Sequence, residues 1–305
     1  MWQLILASLI WSLSFGMIGN VLADLPPAGL AMIRLAVAAA VFLPFVRPAS
    51  VRIHAALVGI GALQFGIMSL AYTGSFRYLK SHEVALFTVM TPVYVAVISD
   101  CFQRRFNALN LGAAAVAVTG AGVVLWQGGA PEVSLVGFLL VELSNLCFAL
   151  GQLLYRELFA RAERPLTDRQ SFFWLYLGGF AATLPLGLRD VGFVTAMTGP
   201  QWLALAHLAV VASGLSFFLW NSGARKVSAG TLAVMNNLKI PLGVLASLLI
   251  FRERINLGGL LAGLLLMAVA LWLPHLQKER TCRSCFWCSA FNCGRRMFKR
   301  NTHDH

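Results

Sequence analysis

Ten long apolar runs divide the chain, each of roughly 18 to 24 residues and each able to cross a hydrocarbon layer of about 30 Å at about 1.5 Å per helical residue. No other feature limits the fold as strongly, because in lipid an element has to satisfy its own backbone polar groups. The runs lie at approximately 2–22, 26–46, 53–73, 79–98, 107–126, 134–155, 170–187, 200–222, 229–250 and 256–274. Composition agrees: 58% of the 305 residues are hydrophobic and only 12% are charged, with a mean hydropathy of +0.74. A soluble domain carries about twice that charge. The expected fold class is an all-α integral membrane protein of ten transmembrane helices. The opening "MWQLILASLIWSLSFGMIGNVLADLPP" has no basic leader and runs through a full span, so it is expected to stay as the first helix.

Lysine and arginine placement sets the expected orientation. With the N-terminus inside, the inner loops hold Arg47, Arg52, Arg104, Arg105, Arg156, Arg161, Arg164, Arg169, Arg225 and Lys226. The outer loops hold Arg77, Lys80, Arg189, Arg252 and Arg254, and a basic tail after Leu276 reinforces the choice. Both termini are expected in the cytoplasm of a cell whose inner membrane holds the chain. The formal net charge of +12 is then explained by basic loops against an anionic leaflet, worth about 1 kcal/mol per residue. The lipid bilayer is the expected partner; no interleaving of basic and aromatic residues suggests nucleic acid.

A repeat emerges at a fixed offset of 149 residues, where "GSFRYLKSHEVALFTVMTPVYVAVISDCFQRRFN" pairs with "GARKVSAGTLAVMNNLKIPLGVLASLLIFRERIN" without a gap. Gly74 falls on Gly223, Pro92 on Pro241, Phe102 on Phe251 and Asn107 on Asn256. Five helices per copy, an odd number, send the second copy into the membrane from the opposite side, the inverted repeat of many secondary transporters. The expected division is 1–126 for the first copy, 134–275 for the second and 276–305 for a basic, cysteine-containing cytoplasmic tail. Pro92 and Pro241 each remove a helix hydrogen bond, freeing the carbonyls of Thr88 and Asn237. Interrupted helices in matching positions point to a transporter site, although prolines in membrane helices are also tolerated as plain kinks.

The stretch "LIWSLSFGMIGNVLADLPPAGLAMIRLAVAAAVFLPF", with "AYTGSFRYLKSHEVALFTVMTPVYVAV" and "FRERINLGGLLAGLLLMAVALWL", resembles the EamA-type members of the drug/metabolite transporter superfamily over about residues 1–275. The resemblance implies ten helices in two inverted repeats around a central cavity, and movement of small organic solutes. The glutamate usual at the end of the fourth helix of each repeat stands as Glu253 in "FRERIN", whereas Arg104 occupies that place in "FQRRFN".

Three ionisable residues, Arg34, Glu142 and Lys239, lie deep inside the expected spans at nearly one depth, about 12 to 15 Å from the nearer helix ends. Each costs roughly 2.5 to 3.5 kcal/mol there unless paired or hydrated. A buried ion pair of Glu142 with Arg34 or Lys239 would only fix packing, and it leaves one cation over. Lys239 is therefore expected to face a cavity and hold an anionic group, with Asn236 and Asn237 beside it. Arg34 is expected to be structural, a role that the resemblance also favours. Glu142 and Asn145 share one face of the sixth helix with Gln152, and Gln64 and Tyr72 align on the third. Trp11, Trp126 and Trp220 are candidates for an apolar wall, although tryptophans near helix ends more often anchor the chain at the membrane interface. Pro92 and Pro241 complete the set as structural or coupling residues.

These features describe a secondary transporter, importer or exporter, of a small organic metabolite such as an amino acid or carboxylate, working by alternating access. A membrane-embedded enzyme or a ligand-sensing receptor is the alternative. Against an enzyme, His82 and Glu83 in "SHEVALF" have no second histidine, and neither a metal-binding set nor a nucleotide loop is present, so no cofactor is expected. The class admits a coupling proton or ion and a homodimer. Cys282, Cys285, Cys288 and Cys293 of the tail match no common metal pattern.

Overall fold

The computed structural model describes residues 1–22, 24–47, 50–79, 81–104, 106–125, 134–161, 167–242 and 258–273. Trp126, Gly243, Glu253 and the cysteine-bearing tail lie outside these residues. Ten helical segments follow one another. They are α1 (Trp2–Gly16, continuing as a π-helical turn Met17–Val21), α2 (Pro27–Phe42), α3 (Val51–Gly61, a π segment Ala62–Ile67, then Met68–Ser75) and α4 in two pieces, α4a (Ser81–Thr88) and α4b (Thr91–Gln103). After these come α5 (Ala108–Leu125), α6 (Leu135–Arg161), α7 (Asp168–Gly187), α8 (Gly199–Ala206, a π segment His207–Leu215, then Ser216–Ala224), α9 (Ala229–Met235) and α10 (Gly258–Leu273).

Each helix coincides with one apolar run. Six segments are individually long and apolar enough to cross a bilayer, among them Pro27–Phe45, Leu135–Arg161 and Gly199–Ala224. Leucines such as Leu9, Leu13, Leu139, Leu143, Leu261 and Leu265 are exposed, as a lipid-facing surface requires. Helix starts carry ordinary caps: the Ser50 and Ser228 hydroxyls accept from the Ile53 and Thr231 amides, and Thr198 with Gln201 forms a reciprocal capping box.

Packing between the halves is nearly symmetric. Helix α3 packs on α7 as α2 packs on α8; α3 packs on α6 as α1 packs on α8; α2 meets α7, and α4b meets α9. The α3–α7 contact is the tightest. A Cβ on Gly61 would overlap the Leu175 carbonyl oxygen, and one on Gly178 would overlap that of Val58. Each glycine sits three residues after the carbonyl that the other one admits, so the backbones clasp each other reciprocally. Around this seam lies an aromatic core of Phe42, Phe65, Phe172 and Tyr176 with ring centroids 5.1 to 6.2 Å apart.

Both expected interruptions are present. Helix α4 breaks at Val89 and Met90, and Pro92 then sits in the first turn of α4b, where its missing N–H costs nothing. Helix α9 breaks over residues 236–238 and resumes at 239–242 with Pro241 in the same place.

Candidate functional site

A cavity of about 100 Å³ lies between the halves, roomy enough for several waters. Helix α1 lines it with Trp11, Ser14 and Ile18, spaced three and four residues apart on one face. Helix α3 adds Met68, Ser69 and Tyr72, α6 adds Ser144, Asn145 and Phe148, and α8 adds Ala212 and Phe217. Arg34 enters from α2, Thr88 and Thr91 come from the two sides of the α4 break, and Lys239 comes from the α9 break.

Trp11 anchors the apolar wall. Its indole Nε1 donates to the Ala212 carbonyl at 2.9 Å, and its ring lies 5.0 Å from Phe217 and 5.8 Å from Phe148. Ala212 belongs to the π-helical segment of α8, a conformation common at functional sites. Tyr176 takes the next two carbonyls, donating from Oη toward Ser213 at 2.6 Å and Gly214 at 3.0 Å. Trp220 stands behind Trp11, its Nε1 bonded to Gln152 Oε1 at 2.8 Å, and does not reach the cavity.

The cations are unpaired. Arg34 Nη2 and Nε donate to Ser213 Oγ at 3.0 and 3.3 Å, and among the described residues it has no carboxylate partner. Lys239 Nζ lies 6.0 Å from the Trp11 ring centroid and forms no ion pair among the described residues. Both therefore present positive charge to a lining that, among the described residues, contains no acid. Arg34 had been expected to be structural; it lines the cavity as well as bracing the π segment of α8.

Glu142 is elsewhere. Its Oε2 accepts from Tyr94 Oη at 2.7 Å and its Oε1 from Asn145 Nδ2 at 3.4 Å, and neither Arg34 nor Lys239 pairs with it. Gln64 also stands outside the lining. It exchanges both amide bonds with Asn221, at 2.9 and 3.1 Å, which satisfies the two buried side chains mutually. Asn236 donates to Leu232 O at 2.8 Å within its own helix, and Asn237 reaches across to Val89 O at 3.0 Å and Ala117 O at 3.4 Å. Of the residues expected at the site, Lys239, Asn145, Tyr72, Trp11 and Arg34 therefore meet at the cavity, and Glu142, Gln64, Asn236 and Asn237 hold its surroundings.

Thr88, Thr91 and Ser144 were missed. Pro92 gave a usable signal, since Thr91 precedes it and Thr88 owns the carbonyl it frees; Thr91 Oγ1 lies 2.8 Å from that carbonyl. Two neighbouring carbonyls of the break, Phe87 and Val89, accept from Asn145 at 3.0 Å and Asn237 at 3.0 Å.

A helical membrane protein whose apolar cavity lies between two halves, flanked by paired helix breaks, is a transporter of small molecules rather than an enzyme. The chain belongs to the EamA-like transporter family, which matches residues 1–126 and again residues 135–273. It is 40% identical over 280 residues to the "Probable biotin transporter" of Pseudomonas aeruginosa, covering 90% of this chain and 98% of that one. It is 36% identical over 277 residues to the "Biotin transporter" of Escherichia coli and over 275 residues to that of Salmonella typhimurium, in both cases covering 88% of this chain and 91% of the relative. A solved crystal structure shares the fold with a TM-score of 0.70 at 18% identity, over 92% of this chain and 96% of that one.

Proposed function

We propose that this chain carries biotin, or a carboxylate closely like it, across the bacterial inner membrane by alternating access around the cavity. Charge balance carries the reading: among the described residues the lining holds two cations, Lys239 and Arg34, and no acid. An anion entering there replaces water with a favourable partner in a medium where an uncompensated charge is costly. Biotin joins a carboxylate on an aliphatic arm to a flat, largely apolar ring system bearing a urea. Lys239 takes the carboxylate, Trp11, Phe148 and Phe217 enclose the arm and ring, and Thr91, Ser144 and Asn145 offer hydrogen bonds to the urea. The names of the relatives support this choice of cargo.

Alternating access uses the two halves, 1–126 and 134–275, as inverted copies that rock about the site, with both termini in the cytoplasm. The exchange of roles in the packing between halves supports the inversion. Reporter fusions at Arg164 and at the C-terminus are expected to read cytoplasmic, and an external signal at either would refute the topology.

The cargo is tested in vesicles containing the purified chain. Biotin is expected to bind and exchange, and its methyl ester to do so poorly. Lys239→Met is expected to raise the half-saturating biotin concentration about 10- to 100-fold, the worth of one charge-assisted hydrogen bond, while leaving ester binding unchanged. Equal binding of acid and ester by the unaltered chain would sink the proposal.

A further inference from the structure

Glu142 lies on α6 within a membrane-spanning segment, yet among the described residues only the neutral Tyr94 and Asn145 hold it. Helices α3, α4a, α4b and α8 pack against α6. Of their titratable side chains Tyr94 on α4b is hydrogen-bonded to the carboxyl; Tyr72 on α3 packs near Val141, and Glu83 on α4a neighbours Val84 of the same cluster. The cavity cations Arg34 and Lys239 form no ion pair with it. A carboxylate with no cation in lipid is costly, and one proton removes that cost.

Asn145 connects this acid to the cavity. One Nδ2 hydrogen points to Glu142 Oε1 at 3.4 Å and the other to the Phe87 carbonyl at 3.0 Å. Its Oδ1 lies 3.1 Å from Thr91 Oγ1, whose single proton is also claimed by the Thr88 carbonyl at 2.8 Å. The arrangement suits an ionised Glu142. Once Oε1 carries a proton, it would face the Asn145 N–H donor to donor. Turning the amide by half a revolution resolves the clash: Glu142 O–H donates to Oδ1, Nδ2 donates to Thr91 Oγ1, and Thr91 gives its proton to Thr88. The Phe87 carbonyl, in the last turn before the α4 break, loses its side-chain partner and keeps the longer bond from the Met90 amide at 3.3 Å.

We propose that Glu142 is the coupling-proton site, and that its protonation flips the Asn145 amide and releases the α4 break, so that one proton taken from one aqueous side travels with one substrate anion and is given up on the other. This rests on the transport reading above. The full chain in vesicles is assayed two ways: exchange of labelled biotin against internal biotin with no gradient, and biotin accumulation with dye-reported proton entry under an imposed pH gradient. Glu142→Gln is expected to keep exchange within about twofold and to lose accumulation and biotin-dependent proton entry by at least about tenfold, a factor typical of a broken coupling. Undiminished proton-driven accumulation in Glu142→Gln, loss of exchange along with it, or exchange without proton movement in the unaltered chain would each overturn the proton site. Absence of exchange in the unaltered chain would instead overturn the cargo reading.

Discussion

Where α3 meets α7, backbone touches backbone: the glycines Gly61 and Gly178 admit the carbonyls of Leu175 and Val58, and no side chain stands between. Where α4 meets α9, side chains carry the contact, Asn237 reaching the Val89 and Ala117 carbonyls while Asn145 and Thr91 hold those of Phe87 and Thr88. A close-packed backbone seam has one arrangement, because any slide drives main-chain atoms together. Carbonyls held by rotatable amides and hydroxyls have several. The first region is thus a fixed axis and the second a set of exchangeable bonds, and the cavity sits beside the exchangeable one. At the α9 break the buried Oδ1 atoms of Asn236 and Asn237 have no partner among the described residues.

The contrast predicts a graded series. Gly61→Leu is expected to have the largest effect, with loss of folded protein in detergent, since the new side chain meets backbone that cannot withdraw. A monodisperse, thermally unaltered Gly61→Leu protein would break the comparison. Asn237→Leu strips two carbonyls of a donor, and its melting temperature is expected to fall by an amount equivalent to roughly 1 to 2 kcal/mol. Thr91→Val is expected to cost about 0.6 kcal/mol, the average for such bonds in a membrane, yet to slow biotin exchange visibly because it loosens the α4 break. Pro92→Ala is expected to change stability least, by about 0.4 kcal/mol, because the first turn of α4b needs no N–H there. Hydrogen exchange sharpens the same comparison: amides of residues 58–61 and 175–178 should outlast those of 87–93, and the reverse order would reassign the moving part.

How much of this was legible depended on how local the cause is. The ten helices follow from hydropathy, which each segment carries by itself. The breaks follow from Pro92 and Pro241, whose effect is confined to one turn. Lys239 stood out because no membrane helix keeps a lysine there without reason, although its approach to Trp11 became visible only in the structure. The partner of Glu142 was not legible, since Tyr94 lies 48 positions away and is unremarkable as a residue type. Gln64 looked like a cavity residue for the same cause: its face was read correctly, but Asn221, 157 positions on, occupies that face. The π segment of α8 left no compositional trace, so the bonds that its carbonyls accept from Trp11 and Tyr176 became visible only in three dimensions.

The length of α6 carries a last implication. It runs for 27 residues, and the stretch from Leu135 to Tyr155 alone covers about 30 Å, a whole hydrocarbon layer. Its final turns therefore stand among headgroups and water. There Asp168 receives Tyr155 Oη at 2.6 Å and Arg225 Nη2 at 2.7 Å, Arg225 lies 4.0 Å above the Phe159 ring, and Arg161 pairs with Glu157 at 2.6 Å. This charged collar joins the ends of α6, α7 and α8 in a layer that dissolved ions reach, where the Debye length is about 8 Å at physiological ionic strength. Salt and headgroup charge thus act on this rim of the bundle, about 15 Å along α7 from Gly178 of the glycine seam, which makes ionic strength a handle on this end of the molecule.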